Sequence, residues 1–116
     1  MTKARREESP PGLRASSDEY AEAVLAVVES IPLGKVLAYG DIAELLGVGG
    51  PRQVGAVLSR HGGGVPWWRV PHADGSAPPG HEVIARLEWV AEGTPLRPNG
   101  NVDMREARWD GVVSGG

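Results

Sequence analysis

Apolar residues recur at helical intervals in four stretches of the chain, and glycine or proline separates each from the next. Tyr20, Val24, Val27, Val28 and Ile31 share one face of a first helix, opened by the capping-box spacing of Ser16 and Glu19 and stopped by Pro32 and Gly34. A second helix, from about Gly40 to Leu46, turns Ile42, Leu45 and Leu46 inward and ends on Gly47 as its C-terminal cap. Gly49 and Gly50 make a tight turn, and Pro51 suits the first position of a third helix. That helix runs to about Arg60 and buries Val54, Val57 and Leu58. The fourth pattern predicts a helix from about His81 to Ala91, with Val83, Ile84, Leu87 and Val90 inward and Gly93 as its stop. Beyond it the chain reads as irregular, anchored to the core by Leu96, Val102, Met104 and Trp109.

The second and third helices, joined by a glycine turn, have the form of a helix-turn-helix unit. Away from its apolar stripe the third helix carries Arg52, Ala56, Ser59 and Arg60, with Gly55 beside them. This face is small in the middle and basic at its ends, so a phosphate backbone can approach it closely. Gly62, Gly63 and Gly64 then lead into Val65-Pro66-Trp67-Trp68-Arg69-Val70-Pro71. Proline interrupts this segment too often for a central strand, and it is too aromatic for an ordinary solvent loop.

The length, 116 residues with 41% hydrophobic and 23% charged, fits one globular domain, which the pattern places over residues 16–110. Residues 1–15 mix basic and acidic side chains with Pro10 and Pro11 and read as a disordered tail, and 111–116 as a flexible end. The chain contains no cysteine, which excludes disulfides, thiolate metal sites and any cysteine nucleophile. His61, His72 and His81 lack metal-ligand spacing, and no glycine-rich phosphate loop carries a lysine, so neither a metal nor a cofactor is expected. No apolar run reaches the roughly 20 residues that span a bilayer, and a cytoplasmic protein is expected.

Net charge is −3, yet between Gly34 and His72 four cations (Lys35, Arg52, Arg60, Arg69) face two carboxylates (Asp41, Glu44), a local +2. A surplus of two also fits an ordinary solvated surface, so charge alone decides little.

The order and spacing of three segments change the balance. Lys35-Val36-Leu37-Ala38-Tyr39-Gly40-Asp41-Ile42-Ala43, then Pro51-Arg52-Gln53-Val54-Gly55-Ala56-Val57, then Pro66-Trp67-Trp68-Arg69-Val70 together resemble the O6-alkylguanine-DNA alkyltransferase domain over about residues 18 to 93. In active members of that family the last segment reads Pro-Cys-His-Arg-Val, with the cysteine accepting the alkyl group. Trp67 stands at the cysteine position here and Trp68 at that of the relay histidine. An indole cannot replace a thiolate as nucleophile. The pattern therefore looks like the alkyltransferase-like branch, which binds alkylated guanine without repairing it and hands the site to nucleotide excision repair.

The resemblance implies a mainly helical, winged-helix-like helix-turn-helix domain of the alkyltransferase C-terminal type, with a short β hairpin around Trp67. It implies a monomer that docks in the minor groove of duplex DNA and extracts an O6-alkylguanine, since the substituent is out of reach inside the stack. Arg52 would fill the vacated stack, Tyr39 would push the phosphate and sugar around, and Gln53, Gly55, Ala56 and Ser59 would line the groove contact. Pro66, Trp67, Trp68, Arg69 and Val70 would form the lesion pocket, with Arg69 bracing the loop through hydrogen bonds to carbonyls. Structural alternatives stay open: a surface arginine at position 52, a core aromatic at Tyr39, tight helix packing at Gly55 and Ala56, and plain packing of either tryptophan.

One departure bears on selectivity. No lysine or arginine lies between Arg69 and Arg86, where better-known alkyltransferase-like proteins carry basic residues that help read the lesion, so discrimination is expected to be weaker or differently achieved. Two other classes compete. A sequence-specific regulator would place the third helix in the major groove, but Gln53 is almost alone there as a base reader. A hydrolase or transferase using Ser59, His61 or Asp74 would need a triad-like order that is absent.

Overall fold

The computed structural model describes residues 17–112. The tail over residues 1–15, the capping residue Ser16 and residues 113–116 lie outside it. Five α-helices follow in order: α1 (Ser17–Ser30), α2 (Tyr39–Leu46), α3 (Pro51–His61), α4 (Glu82–Glu92) and the single turn α5 (Met104–Ala107). Short 3-10 turns cover Gly62–Gly64 and Trp67–Arg69.

The first three helices enclose the main core. Ala21, Val24, Val28 and Ile31 meet Ile42 and Ala43 of α2 and Val54 and Val57 of α3, with Leu37, Val70 and Trp109 closing the cluster. Each fully buried valine or isoleucine contributes about 1.5–3 kcal/mol over leaving it in water. The α2–α3 turn depends on its glycines for two reasons. Gly47 caps α2 in the left-handed region at φ 76°, and its N–H reaches the carbonyls of Ala43 and Glu44. Gly49 lies at φ 81°, and a Cβ there would collide with the hydroxyl of Tyr20, which donates to the Val48 carbonyl at 3.2 Å. The α3 N-terminus is closed by the Gln53 side-chain oxygen, which accepts the Gly50 N–H at 2.9 Å.

Two expected faces are corrected. Leu45, expected inward, is 50% exposed; Ala43 takes the buried position beside Ile42, and Leu45 walls a surface groove with Trp109. On α4 all four expected core residues face solvent, Val83, Ile84, Leu87 and Val90 each being more than half exposed. The helix buries the stripe Ala85, Trp89 and Glu92 instead. Both stripes have helical spacing, and a helix can turn only one of them inward. Trp89 wins because its ring buries more apolar surface than any competitor and its indole N–H donates to the Trp68 carbonyl at 2.7 Å. Around Trp89 a second cluster forms with Val36, Ala85, Val102 and Ala107.

The hairpin expected around Trp67 is absent from the described residues, which contain only the isolated bridges Val36–Arg108 (parallel) and Leu96–Val102 (antiparallel). Pro66 and Pro71 have no N–H to pair, and the Arg69 carbonyl already accepts the Leu37 N–H at 3.0 Å. The other edge of the same short segment holds the C-terminal stretch: Val36 donates to Ala107 at 3.0 Å, and Trp109 donates to Val36 at 2.9 Å. Leu96, Val102, Met104 and Trp109 anchor that stretch as expected.

Candidate nucleic-acid interface

On α3, Arg52, Ala56, Ser59 and Arg60 are exposed and Gly55 is half-exposed. Arg52 and Ser59, with Gly55 or Ala56 between them, follow the three- and four-residue spacing that puts side chains on one helix face. Arg52 makes no hydrogen bond or ion pair among the described residues, although it sits near a helix N-terminus, where a cation gains nothing from its own fold. A Cβ added at Gly55 would meet nothing within 4 Å. Tight helix packing therefore does not explain the glycine, and the space above it stays open to a partner.

That space is the mouth of a cavity of about 410 Å³. Gly55, Leu58 and Ser59 of α3 form one wall with Gly62 and Gly63, Tyr39 and Trp67 another, and Pro78, Pro79 and His81 the third. The volume falls in the roughly 300–1,000 Å³ range of small-molecule sites. Tyr39 opens α2 half-buried, its ring edge-on to His72 with centroids 5.1 Å apart. Burial pushes its phenol above the usual tyrosine range, so it stays a neutral donor near any phosphate.

The Trp67–Arg69 turn is held from behind by one carboxylate. Glu92, its side chain only 7% exposed, accepts the Trp68 indole N–H at 2.8 Å and the Arg69 guanidinium at 2.8–3.2 Å, and lies 3.4 Å from the Gly34 N–H. Desolvation pushes the Glu92 carboxyl up, but the hydrogen bonds from Arg69, Trp68 and Gly34 and the Arg69 charge outweigh it and leave it below the usual range. Arg69 also donates to the Ile31 carbonyl at 2.9 Å, so it does brace the loop through a carbonyl as well as through Glu92. Trp68 is fixed as Trp67's edge-on neighbour, with ring centroids 5.6 Å apart.

Of the five residues expected to form the pocket, the structure brings Trp67 alone to the cavity wall. Val70 is fully buried in the core, Trp68 and Arg69 are turned to Glu92, and Pro66 precedes the turn without lining the cavity. Tyr39, Gly55 and Ser59 line it; Arg52, Gln53 and Ala56 stand outside it, exposed on α3. Leu58, Gly62, Gly63, Pro78, Pro79 and His81 join the wall without a site signal in the sequence, and Glu92 stands behind the Trp67–Arg69 turn, outside the wall. Leu58 carries only a core signal, and a lone carboxylate at a helix end carries no signal of the partners it will meet. The local surplus of +2 survives folding: Arg69 is neutralised by Glu92 and Asp41 by Arg108 at 2.9 Å, leaving Lys35, Arg52 and Arg60 against Glu44.

Residues 19–93 match the family model of the 6-O-methylguanine DNA methyltransferase DNA-binding domain. The DNA base-flipping protein of Escherichia coli (strain K12) is 35% identical over 98 residues, covering 80% of this chain and 76% of the relative. That of Vibrio parahaemolyticus serotype O3:K6 is 32% identical over 97 residues, covering 79% and 97%. The crystal structure of S. pombe Atl1 in complex with damaged DNA containing O6-carboxymethylguanine has a TM-score of 0.72 and 27% identity to this chain, covering 82% of it and 98% of Atl1. A second S. pombe ATL structure, in complex with DNA, has a TM-score of 0.69 and 28% identity, with the same coverage.

Proposed function

Since the chain belongs to the family of the 6-O-methylguanine DNA methyltransferase DNA-binding domain, we propose that it binds duplex DNA carrying O6-alkylguanine, turns the modified base into the Trp67 cavity and leaves the alkyl group in place. The observation that carries this reading is the continuity between the cavity and the α3 face. Gly55 and Ser59 belong to both, so a base leaving a duplex docked on α3 enters the cavity directly. The small residues Gly55 and Ala56 let the backbone of α3 enter a minor groove. Unstacking a base costs a few kcal/mol. Arg52, which has no partner among the described residues, fills the gap left in the stack, and Trp67 offers the extruded purine an aromatic wall worth about 1–3 kcal/mol. Tyr39, neutral and half-buried beside the cavity, moves the sugar and phosphate of the target.

Alkyl transfer requires a nucleophile, and a chain without cysteine offers no thiolate at Trp67 or elsewhere. The outcome is a marked base, and a marked base requires a reader. The exposed product of binding is a distorted duplex held by a small monomer, a substrate for nucleotide excision repair.

The test compares the affinity of the purified chain for matched duplexes containing guanine or O6-methylguanine, followed by mass analysis of protein and DNA. Preference for the modified duplex with both masses unchanged is expected. Equal affinity would leave a helix-turn-helix DNA binder without lesion specificity, and a methyl group gained by the protein would make it an alkyltransferase.

A further inference from the structure

His81 is the one residue lining the cavity that can carry a positive charge, since no lysine or arginine reaches its wall among the described residues and Tyr39 titrates only towards an anion. Its ring meets Trp67 with centroids 5.4 Å apart and planes at 61°. His81 occupies the position that would cap α4, yet its side chain makes no capping bond and no other hydrogen bond or ion pair among the described residues. The fold thus leaves an exposed imidazole held only by its aromatic contact, on the wall of a cavity suited to a base.

The groups around it are few. On its own helix Glu82 accepts the Gly80 N–H at 3.1 Å and lies close enough to feel the charge of His81, while Arg86 acts on that same carboxylate. Across the cavity α3 contributes Gly55, Leu58 and Ser59, none of which titrates near neutral pH. From α2 comes only Tyr39, kept neutral by burial, and the Trp67 wall is uncharged. His72 lies behind Tyr39, outside the cavity wall.

We propose that His81 makes the site select an anionic substituent on guanine O6: as imidazolium it attracts a carboxylate-bearing adduct, and as neutral imidazole it does not. The selectivity then depends on pH, because only the protonated ring carries the charge that the carboxylate meets. This rests on the reading of the cavity as the lesion pocket. The half-open site screens the attraction, which limits its effect to roughly fivefold.

The experiment titrates the full chain against three otherwise identical duplexes carrying guanine, O6-methylguanine or O6-carboxymethylguanine, at about pH 5.5 and about pH 8. The ratio of carboxymethyl to methyl affinity is expected to rise roughly fivefold towards the acid side. A contribution to that movement from His61 or His72 would persist in His81→Gln, which separates it from that of His81. His81→Gln should flatten the ratio, and His81→Lys should keep it high at both pH values. A ratio that does not move with pH in the unmodified chain, or that still moves in His81→Gln, overturns the proposal while leaving the lesion pocket standing. Equal binding of all three duplexes overturns the lesion pocket itself, and the selectivity with it.

Discussion

Two neighbouring tryptophans illustrate how the same side chain serves different ends one position apart. Trp67 faces the cavity, whereas Trp68 spends its indole N–H on Glu92. The split leads to a contrast between variants. Arg52→Ala removes an exposed group with no partner among the described residues, so stability should change by less than about 0.5 kcal/mol while affinity for lesion duplex falls about tenfold. Trp68→Ala should do the reverse, losing about 2 kcal/mol of stability with a smaller fall in affinity once the protein is folded. Denaturant unfolding and anisotropy titration of the two variants separate these outcomes. Tyr39, Gly55 and Trp67 were legible because three ordered segments fix them relative to one another, and Ser59 because helical spacing puts it on the same face of α3. His81 and Glu92 were not, because their roles arise from contacts between elements: Glu92 lies 23 residues beyond Arg69, and the two meet only when α4 packs.

Helix boundaries were legible for the same reason that helix faces were less so. Glycine and proline mark ends locally, and α1 to α4 start and stop within about two residues of the pattern. The buried face of α4 is decided by what the helix packs against, and Trp89 with Glu92 outweighs four exposed aliphatic residues. On α3, Gly55→Ala places a methyl group in open space, so the helix should gain up to about 1 kcal/mol from better propensity while lesion binding weakens. A variant more stable and unchanged in binding would show that DNA does not approach this face. On α4, Glu92→Gln should cost about 3 kcal/mol at neutral pH, because it leaves a mostly buried Arg69 without its counter-charge. The Glu92 carboxyl is lowered in the folded chain, so its stabilisation is complete above the ordinary glutamate range, near about 4.3, and is lost as pH falls through the lower folded value. Unfolding curves of the parent and the Gln variant should converge only at that acid end.

At the scale of the whole molecule, a net charge of −3 and only three exposed cations without an ion pair between Gly34 and His72, Lys35, Arg52 and Arg60, predict a weak electrostatic binder. Three phosphate contacts predict a slope of roughly −3 in log affinity against log salt concentration. A titration series between about 50 and 200 mM salt reads it directly, and a slope near −6 would require cations outside the described surface. The helix-turn-helix arrangement was legible from the glycine turn, but the seam that closes the molecule was not. It consists of backbone bonds from Val36 to Ala107 and Trp109 and from Leu37 to Arg69, with Gly75 receiving the Val102 N–H at 2.9 Å. A Cβ at Gly75 would strike the Val102 carbonyl, so the two strands of chain meet with no room for a side chain. Backbone bonds of this kind carry little sequence signature.

That seam also sets an order of events during synthesis. The segment leading into Tyr39 and the turn bearing Trp67 are both made early, yet the edge of that segment at Val36 stays unpaired until residues 107–109 arrive. Contacts so distant along the chain form late, because loop closure precedes any gain from them. On the ribosome, then, the three-helix core can assemble around an unfinished cavity, whose supporting backbone is complete only once α5 and the residues just after it emerge.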